Sequence, residues 1–320
     1  MISMADSDLT IQIPKSAIDN SQFKIFHSNS YGGSMRLQKL SKITVGVVTL
    51  SMIAGFAVAA GAYKLAFSMK KGQRFIYKMK TTTEQSMEMM GREMASSVNG
   101  TTVMHLDVEE VSKTGDITFV YAIDSLQTHM KNPMMQMDST FKNPAGVIGK
   151  RTRFTMTAAG KKISSTVIDS VKLSGVMAQV SGGRQNTFTL IELSDKEIKA
   201  GESWTTNKVD TINQAGGTLM LTSSTTYTVG SEVDTLGYKC VRLITKGKTA
   251  LKGEGTQMGA KLFFEGEGPT TGVVYFAPKE GLLVAMTTDS DLEMTIAVTG
   301  PQNMTIPQTT ATKTSLVLVK

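Results

Sequence analysis

Methionine is the residue type that offers this sequence most for binding chemistry. The chain has 22 methionines, and many of them fall in two clusters, MEMMGREM at 87–94 and HMKNPMMQMD at 129–138. A thioether is flexible, apolar and polarisable, so it can fill gaps in a core, adapt to a greasy ligand or coordinate a soft metal ion. Polar neighbours such as Glu88 and Lys131 favour partly exposed positions over a closed core.

An adaptable apolar surface for a lipid or another hydrophobic small molecule is one interpretation of the clusters. Unbranched thioether side chains repack around varied partners, which is why they recur on promiscuous binding surfaces. Trp204, the only tryptophan, follows an AGES stretch and is either a core anchor at the start of a strand or part of a ligand wall. This interpretation predicts the following ligand-binding residues: Met87, Met89, Met134, Met135, Met137 and Trp204.

A soft-metal site for Cu(I) or Ag(I) is the alternative interpretation, and plain core filling by methionine is the third. Soft sulfur ligands select soft cations, and an imidazole could complete such a site. The two clusters are well separated in sequence, so a metal site requires strand pairing to bring them together. The residues that this alternative uses are Met87, Met90, Met94, His129, Met134 and Met137.

Signatures of catalysis are absent from the sequence. It contains no GxSxG elbow, no HExxH, no Walker loop and no GxGxxG between strand and helix. His105 shares a strand face with Asp107, but no nucleophile accompanies them. Asp289 and Asp291 lack the glycine and glutamate that complete a calcium loop. We therefore predict a protein that is not an enzyme and that uses no cofactor.

The charge distribution and the cysteine content exclude further classes of partner and of site. The net charge of +7 is spread over short basic pairs such as Lys70-Lys71 and Lys161-Lys162. Without an aromatic-flanked basic block, this pattern predicts no nucleic acid partner. Cys240 is the only cysteine, which excludes an intrachain disulfide and a cysteine-cluster metal site.

Alternation of apolar and polar residues predicts the fold class. Phe75, Tyr77 and Met79 alternate with Lys78 and Lys80, and similar period-two runs recur along the chain between Gly-, Asp- and Asn-containing turns. Such runs are typical of antiparallel strands with one buried face. We predict a mainly β protein, either one large antiparallel open sheet or half-barrel, or two related β-rich halves, with one short helix.

The expected domains are two β-rich halves, 63–165 and 200–320, joined by a helical or irregular crossover at 166–199. Within the crossover, the apolar residues from Thr166 to Val180 fit one face of a short helix. KGQRF at 71–75 corresponds to AGESW at 200–204, which predicts either an internal repeat or recurrent hairpin patterns.

The N-terminal region predicts export. From Met35 the chain has a short basic head, a charge-free middle at 43–62 and a small-residue exit, the three parts of an export signal. The middle is also long enough to span a bilayer, so 35–62 is either a cleaved signal peptide or a single transmembrane helix that would associate the protein with a membrane. Residues 1–34 are polar and non-periodic, which indicates a disordered tail or a mis-assigned extension. Whether 35–62 is cleaved or kept as a membrane helix, we expect the folded part in the periplasm or on the outer face of a bacterial cell envelope.

Several stretches of this chain resemble one protein family. They are KKGQRFIYKMK, VNGTTVMHLDVEEVSKTGDITFVYAI, LSDKEIKAGESW and GVVYFAPKEGLLV. Across Phe67–Val298 the chain is similar to an uncharacterised group of bacterial exported β-rich proteins, known only as a domain of unknown function. More loosely, it resembles the LolA-like lipoprotein-carrier half-barrels. That second resemblance implies a curved sheet that holds acyl chains.

The predicted function combines export, a mainly β fold and the methionine clusters. It is noncatalytic binding of a hydrophobic ligand, such as a lipid, or of an envelope partner. The alternatives are a periplasmic methionine-rich protein that binds Cu(I) or Ag(I), and a structural envelope protein.

Overall fold

The computed structural model describes residues 61–320 except 90, 171–189, 215, 258, 301–302 and 320. Strands dominate these residues, and a 3-10 turn, Pro133–Met135, is the only helical element described. The strands are β1 (Arg74–Met89), β2 (Arg92–Val111), β3 (Ile117–Asn132), β4 (Met137–Lys142), β5 (Arg151–Met156), β6 (Lys162–Val167), β7 (Ser203–Gln214), β8 (Gly217–Thr235), β9 (Tyr238–Gln257), β10 (Ala260–Ala277), β11 (Leu282–Thr299) and β12 (Met304–Leu318).

All twelve strands belong to one sheet. Its order is β6-β5-β3-β2-β1-β12-β11-β10-β9-β8-β7, with β4 paired to β3, and every pairing is antiparallel. The first and last strands pair in the middle of this order, and β6 and β7 stand at its two ends. The prediction of a large, open, mainly antiparallel β structure is confirmed.

The predicted helix in the crossover is wrong at its start. Thr166 and Val167 belong to β6, because they pair with Arg153 and Thr152 of β5. The rest of that stretch lies outside the described residues, as do residues 1–34 and nearly all of the predicted signal or membrane helix at 35–62. In the part of the chain that the structure describes, no helix is long and apolar enough to cross a membrane.

The sheet has an apolar inner face and a polar outer face. Phe75, Tyr77 and Met79 of β1 point to the inner face, and Lys78 and Lys80 point to the outer face, as the alternation predicted. We call the end of the sheet that begins at Arg74 of β1 the basal half. The other end, which holds the turn between β1 and β2, is the distal half.

A packed core fills the inner face of the basal half. Tyr77, Phe119 and Phe276 are among its largest fully buried side chains, and the Tyr77 hydroxyl donates to the carbonyl oxygen of Leu283 at 2.9 Å. Phe67 meets Phe276 edge to face at 5.4 Å between ring centroids. Residues outside the strands cover this core: Leu65, Phe67, Met69, Val147, Leu190, Ile191, Leu193 and Ile198.

The segment 190–198 links the two ends of the sheet at its base. The Leu193 amide donates to the Ala159 carbonyl oxygen in the turn between β5 and β6. On the other side, the Trp204 indole N–H of β7 donates to the Glu192 carbonyl oxygen at 3.0 Å. A cleft of about 1190 Å³ runs along this junction. The opening between β6 and β7 is therefore bridged at the base.

The two halves of the chain begin with the same turn. Gly72 and Gly201 adopt φ of 86° and 85°, a conformation that glycine reaches without strain. Their amides donate to Val108 and Val229 at 2.9 and 2.8 Å, and each valine amide donates back to the residue that follows the glycine. The two turns therefore share one backbone geometry, and the internal repeat stays a prediction.

Inner-face glycines on β9 and β10 lie where neighbouring strands come closest. A Cβ added to Gly272 would lie 2.3 Å from the Thr287 carbonyl oxygen, whereas one added to Gly100 of β2 would meet nothing nearer than 3.9 Å. Real Cβ atoms essentially never approach another heavy atom within 3.0 Å. Glycine at Gly272 therefore permits a close approach that any side chain would block, and such positions allow a sheet to bend.

Candidate functional site

The distal half of the inner face is apolar and only partly covered. Met130 and Leu251 are buried there at 5% and 8% exposure, but neither belongs to the basal core. The other apolar side chains of this surface are half-buried. They are Met87, Met89, Met94, Val98, Leu219, Leu221, Leu262, Phe264, Leu292, Met294, Ile296, Val298, Met304 and Ile306.

Strand register arranges this surface in rows that cross six strands, β1, β12, β11, β10, β9 and β8. The first apolar row contains Met87, Gln308, Met294, Gly266, Leu251 and Leu221. Two residues nearer the tip of each strand, the second apolar row contains Ile306, Ile296, Phe264, Gly253 and Leu219, and Met89 lies at the same level on β1. We call these the apolar rows.

Three rows lie between the apolar rows and the basal core. The row next to the apolar rows is mixed and contains Gln85, Thr310, Leu292, Gly268, Thr249 and Ser223. The other two rows carry mainly hydroxyl side chains. One contains Thr83, Thr312, Ser290, Thr270, Gly247 and Thr225. The other, nearer the base, contains Thr81, Thr314, Thr288, Gly272, Thr245 and Tyr227. We call them the hydroxyl rows. Only Thr245 and Tyr227 of this set are buried, and the rest are half-buried.

The hydroxyl groups of these rows hydrogen-bond across strands. Thr83 and Thr312 lie 3.2 Å apart between their Oγ1 atoms, and the Thr270 hydroxyl donates to Ser290 at 3.2 Å. Thr249, on the next row towards the tip, lies 3.4 Å from Thr270. Each hydroxyl has one donor and two acceptor lone pairs, so these contacts leave it capacity for a further partner.

Strand pairing places the two predicted methionine clusters at the same end of the sheet. Met87 and Met94 are direct partners across β1 and β2, and both face inward. Ser97 of β2 pairs with Lys131 of β3, which puts the 3-10 turn beside the start of β2. Strand pairing therefore brings the two methionine clusters close together, as the metal alternative requires.

The remaining cluster residues do not share one face. Met137 pairs with Asn132 on the inner face, while Met134 in the 3-10 turn is 49% exposed. His129 points outward, 3.0 Å from the Thr140 hydroxyl and 3.4 Å from the Asp138 carboxylate. The predicted set that joins His129 to Met87 and Met94 is thus split between the two faces.

A β-bulge explains the position of His129. Ile123 pairs with Met104 but Ser125 pairs with Val103, so Asp124 is an extra residue in β3. An extra residue shifts the alternation of every later residue in its strand. Simple alternation from the inward-facing Ile123 would place His129 on the inner face. Because of the extra residue, His129 lies on the outer face.

Met135 is part of the 3-10 turn, and Met90 lies outside the described residues. Of the residues that the structure describes, no group of three or more His, Cys, Asp or Glu side chains is placed to hold a metal ion. Cys240 is fully buried, and burial raises the pKa of its thiol to about 11. A neutral, inaccessible thiol of this kind packs in the core and is chemically inert.

Trp204 lies at the edge of the basal core, far from the methionine clusters. Its ring stacks on Tyr227 at 5.0 Å between centroids, and it packs against the core. Five strands, β8 to β12, separate its strand from β1 in the sheet order. Trp204 occupies the place in its half that Phe75 has after Gly72, so its position matches a core anchor at the start of a strand.

The outer face of the distal half is charged. Lys248 and Glu267 form an ion pair at 2.7 Å, and the exposed apolar residues Val209, Met220 and Phe263 stand among charged and polar residues on this side. The exposed charged residues there are Glu84, Glu88, Lys246, Lys248, Lys252, Glu254, Lys261, Glu265, Glu267, Asp289, Asp291, Glu293 and Lys313. The two faces of the distal half therefore differ in chemistry.

On the basal outer face, His105 lies between two carboxylates. Its Nδ1 is 2.7 Å from Asp124 and its Nε2 is 3.7 Å from Asp107, which also pairs with the Arg74 guanidinium at 2.6 Å. The hydrogen bond from Arg74 holds the pKa of the Asp107 carboxyl below its usual range. Sequence reasoning found His105 and Asp107 but missed Arg74 and Asp124, because only the β1–β2 register and the β3 bulge bring them there. These charged contacts connect β1, β2 and β3.

Comparison with known proteins supplies no family. No family model matches the chain, and no curated protein matches it. An outer membrane channel from Pseudomonas putida F1 aligns at 7% identity over 79% of this chain and 97% of its own, with a TM-score of 0.18. OmpF from Salmonella typhi in complex with daunomycin aligns at 7% identity over 77% and 98%, with a TM-score of 0.25. At these TM-scores neither likeness bears on the function of this chain, and the predicted family resemblance stays a prediction.

Proposed function

We propose that this protein binds a hydrophobic ligand on the apolar rows of its inner face and performs no catalysis. A lipid or another greasy molecule is the ligand class. Exported to the cell envelope, as its N-terminal sequence predicts, the protein would hold such a molecule away from water.

One observation carries the proposal: the same inner face is sealed at one end and only partly covered at the other. In the basal half, residues from 65–69 and 190–198 cover the face, and Tyr77 and Phe276 are fully buried. In the distal half, apolar residues such as Phe264 and Met294 keep contact with water. Removing apolar surface from water contributes about 25 cal/mol per Å², so a ligand that covers these rows gains binding free energy.

Side-chain chemistry favours the inner face for the proposed ligand. The outer face of the distal half carries exposed charges on β1 and on β9 to β12, and some of them face each other across strands, as Lys252 and its partner Glu265 do. Charged groups lose hydration when an apolar molecule covers them, at a cost of several kcal/mol. The inner rows at the same level present mainly thioether, aliphatic and aromatic groups, with Gln308 in the first row and the charged Arg92 and Asp210 beyond their ends on β2 and β7.

Met294→Lys tests the proposal against Thr295→Lys. Met294 faces inward on the first apolar row, and Thr295 faces outward opposite Glu265. The reporter is the neutral fluorophore N-phenyl-1-naphthylamine, whose emission rises in apolar surroundings. We expect the unaltered protein and Thr295→Lys to bind it, and Met294→Lys to bind roughly tenfold more weakly, because a lysine ammonium must then be buried or displaced.

Thermal unfolding of both variants checks that the sheet is intact. Failure of the unaltered protein to bind the fluorophore would remove the proposal. Equal binding by the two variants would also contradict it, because the ligand would then lie elsewhere. Mass spectrometry of lipid that co-purifies with the full chain identifies the natural ligand.

The soft-metal alternative retains one supporting observation. Met87 and Met94 are direct cross-strand partners on the inner face, with Met137 on the same face at the same end. Thioethers that meet in this way suit a soft cation. The double methionine variant described in the Discussion separates the two functions.

A further inference from the structure

The inner face changes chemistry twice between its base and its tip. From base to tip it passes from the packed core to the two hydroxyl rows, then to one mixed row and then to the two apolar rows. Successive rows are two residues apart along each strand, or about 6.6 Å at about 3.3 Å per residue. A molecule that lies along a strand therefore meets hydroxyl groups and apolar groups at fixed places.

The hydroxyl rows contain no charged side chain. On the inner face of β1, β2 and β8–β12 at this level, the described residues are Thr, Ser, Gly, Val and Tyr. Lys208 of β7 is the nearest inward cation, one row further towards the tip, and it pairs with the Glu192 carboxylate at 3.3 Å. An anionic group on these rows would lose water without gaining a cation in return.

Hydroxyl side chains suit an uncharged polar group. Each can donate one hydrogen bond and accept two, so Thr83, Thr312 and Ser290 can serve a ligand hydroxyl, ester or amide as well as one another. Their half-exposed positions leave them open to contact from the inner side.

We propose that the hydroxyl rows hold the head of an uncharged amphiphile whose hydrocarbon chain lies on the apolar rows. This inference rests on the proposed function, since it names the ligand class of the same surface. The head points towards the base of the sheet, and the chain runs towards the tips of β11 and β12. From Leu292 to Val298 the inward apolar residues of β11 extend for about 20 Å at about 3.4 Å per residue, enough for an extended acyl chain.

The experiment compares three probes that share a twelve-carbon chain. 1-Monolauroylglycerol has an uncharged hydroxyl-bearing head, laurate is anionic, and dodecyltrimethylammonium is cationic. Each displaces N-phenyl-1-naphthylamine from the full chain at probe concentrations below micelle formation. We expect monolauroylglycerol to compete about tenfold better than either charged probe. Its head can form one or two hydrogen bonds with the hydroxyl rows, whereas a charged head loses hydration there without gaining a partner of opposite charge.

A matched pair of double variants locates the head. Thr83→Val with Thr312→Val removes two hydroxyls from the inner face while keeping β-branched shape. Thr205→Val with Thr226→Val removes an outer-face pair whose hydroxyls lie 2.8 Å apart. The first double variant should lose most of the preference for monolauroylglycerol over laurate, and the second should keep it.

The outcomes separate this inference from the proposed function. If all three probes compete equally, or if the inner double variant keeps the full preference, this inference is wrong. The surface would then bind hydrocarbon, but the hydroxyl rows would not contact the ligand head. A preference for laurate or for the cationic probe contradicts the inference in the same way. If the unaltered protein binds neither the fluorophore nor any probe, the proposed function itself fails and this inference with it.

Discussion

The basal and distal halves of the sheet are made from the same strands, yet they meet water differently. On β10, Phe276 is fully buried against Phe67, whereas Phe264 lies on the same inner face and remains half-exposed. The difference comes from the coil segments that cover the base and not from the strands. It teaches that stability and binding can be assigned to opposite ends of one continuous sheet.

The matched phenylalanines give the largest expected effect. Phe276→Ala should cost about 3–5 kcal/mol of unfolding free energy, because it empties a packed site. Phe264→Ala should cost roughly 1 kcal/mol or less, because its ring already contacts water in the free protein. Urea denaturation of both variants measures the difference. Equal losses would mean that the distal half is packed as tightly as the base.

A pair of glycines tests how much the close strand approach matters. Gly272→Ala should destabilise the protein by about 1–3 kcal/mol, because the new methyl group would lie against the Thr287 carbonyl oxygen. Gly100→Ala meets no close atom and should be neutral or stabilising by up to about 1 kcal/mol. Thermal unfolding of the two variants gives the sign of each change, and a harmless Gly272→Ala would show that the strands are not constrained there.

Buried tyrosines of the base should make stability fall at alkaline pH. Burial raises the pKa of Tyr121 to about 12 and raises the pKa of Tyr77 still further. Unfolded phenols ionise near pH 10. The folded state then holds more protons than the unfolded state, so this contribution is complete below about pH 10 and is lost as pH rises towards the folded values.

Tyr77→Phe sharpens that prediction. At pH 8 it should cost about 1–3 kcal/mol, because the buried Leu283 carbonyl oxygen loses its hydrogen bond. Above pH 10 the variant should lose stability less steeply than the unaltered protein. Chemical denaturation between pH 8 and 11 provides both slopes, and parallel slopes would show that Tyr77 does not control the alkaline loss.

The smallest effect is expected from the distal methionine pair. Met87→Leu with Met94→Leu preserves apolarity and nearly preserves volume, so stability should change by less than about 1.5 kcal/mol. Binding of N-phenyl-1-naphthylamine should persist. Titration with Cu(I) under reducing conditions tests the soft-metal alternative. That alternative would be favoured if the unaltered protein bound Cu(I), the variant did not, and the variant also lost fluorophore binding.

Local patterns predicted the strands well because alternation is a local property. The run from Phe75 to Lys80 shows which side chains of β1 face the core without any knowledge of its partners. The pairing of Tyr77 with Leu318 could not be predicted in this way, since nothing near either residue identifies the other. The crossover helix was wrong at Thr166 because its apolar spacing fits a strand edge as readily as one helical face.

The candidate site was predictable only in part. The sequence indicated that methionines would matter, and the structure places Met87 opposite Met94 on the inner face. The hydroxyl rows escaped notice because Thr83, Thr312 and Ser290 come from three distant segments and align only through register. His129 faces away from Met87 and Met94 because a single extra residue, Asp124, reverses the alternation that follows it.

Pairing between the first and last strands has a consequence for how the chain acquires its structure. Tyr77 and Leu318 sit side by side, so the centre of the sheet forms only after β12 has been synthesised. Domains dominated by such distant contacts fold slowly, because a long loop must close before the contact repays its entropy. Until β12 is present, β1 exposes an unpaired edge, and such edges are prone to pair with other chains.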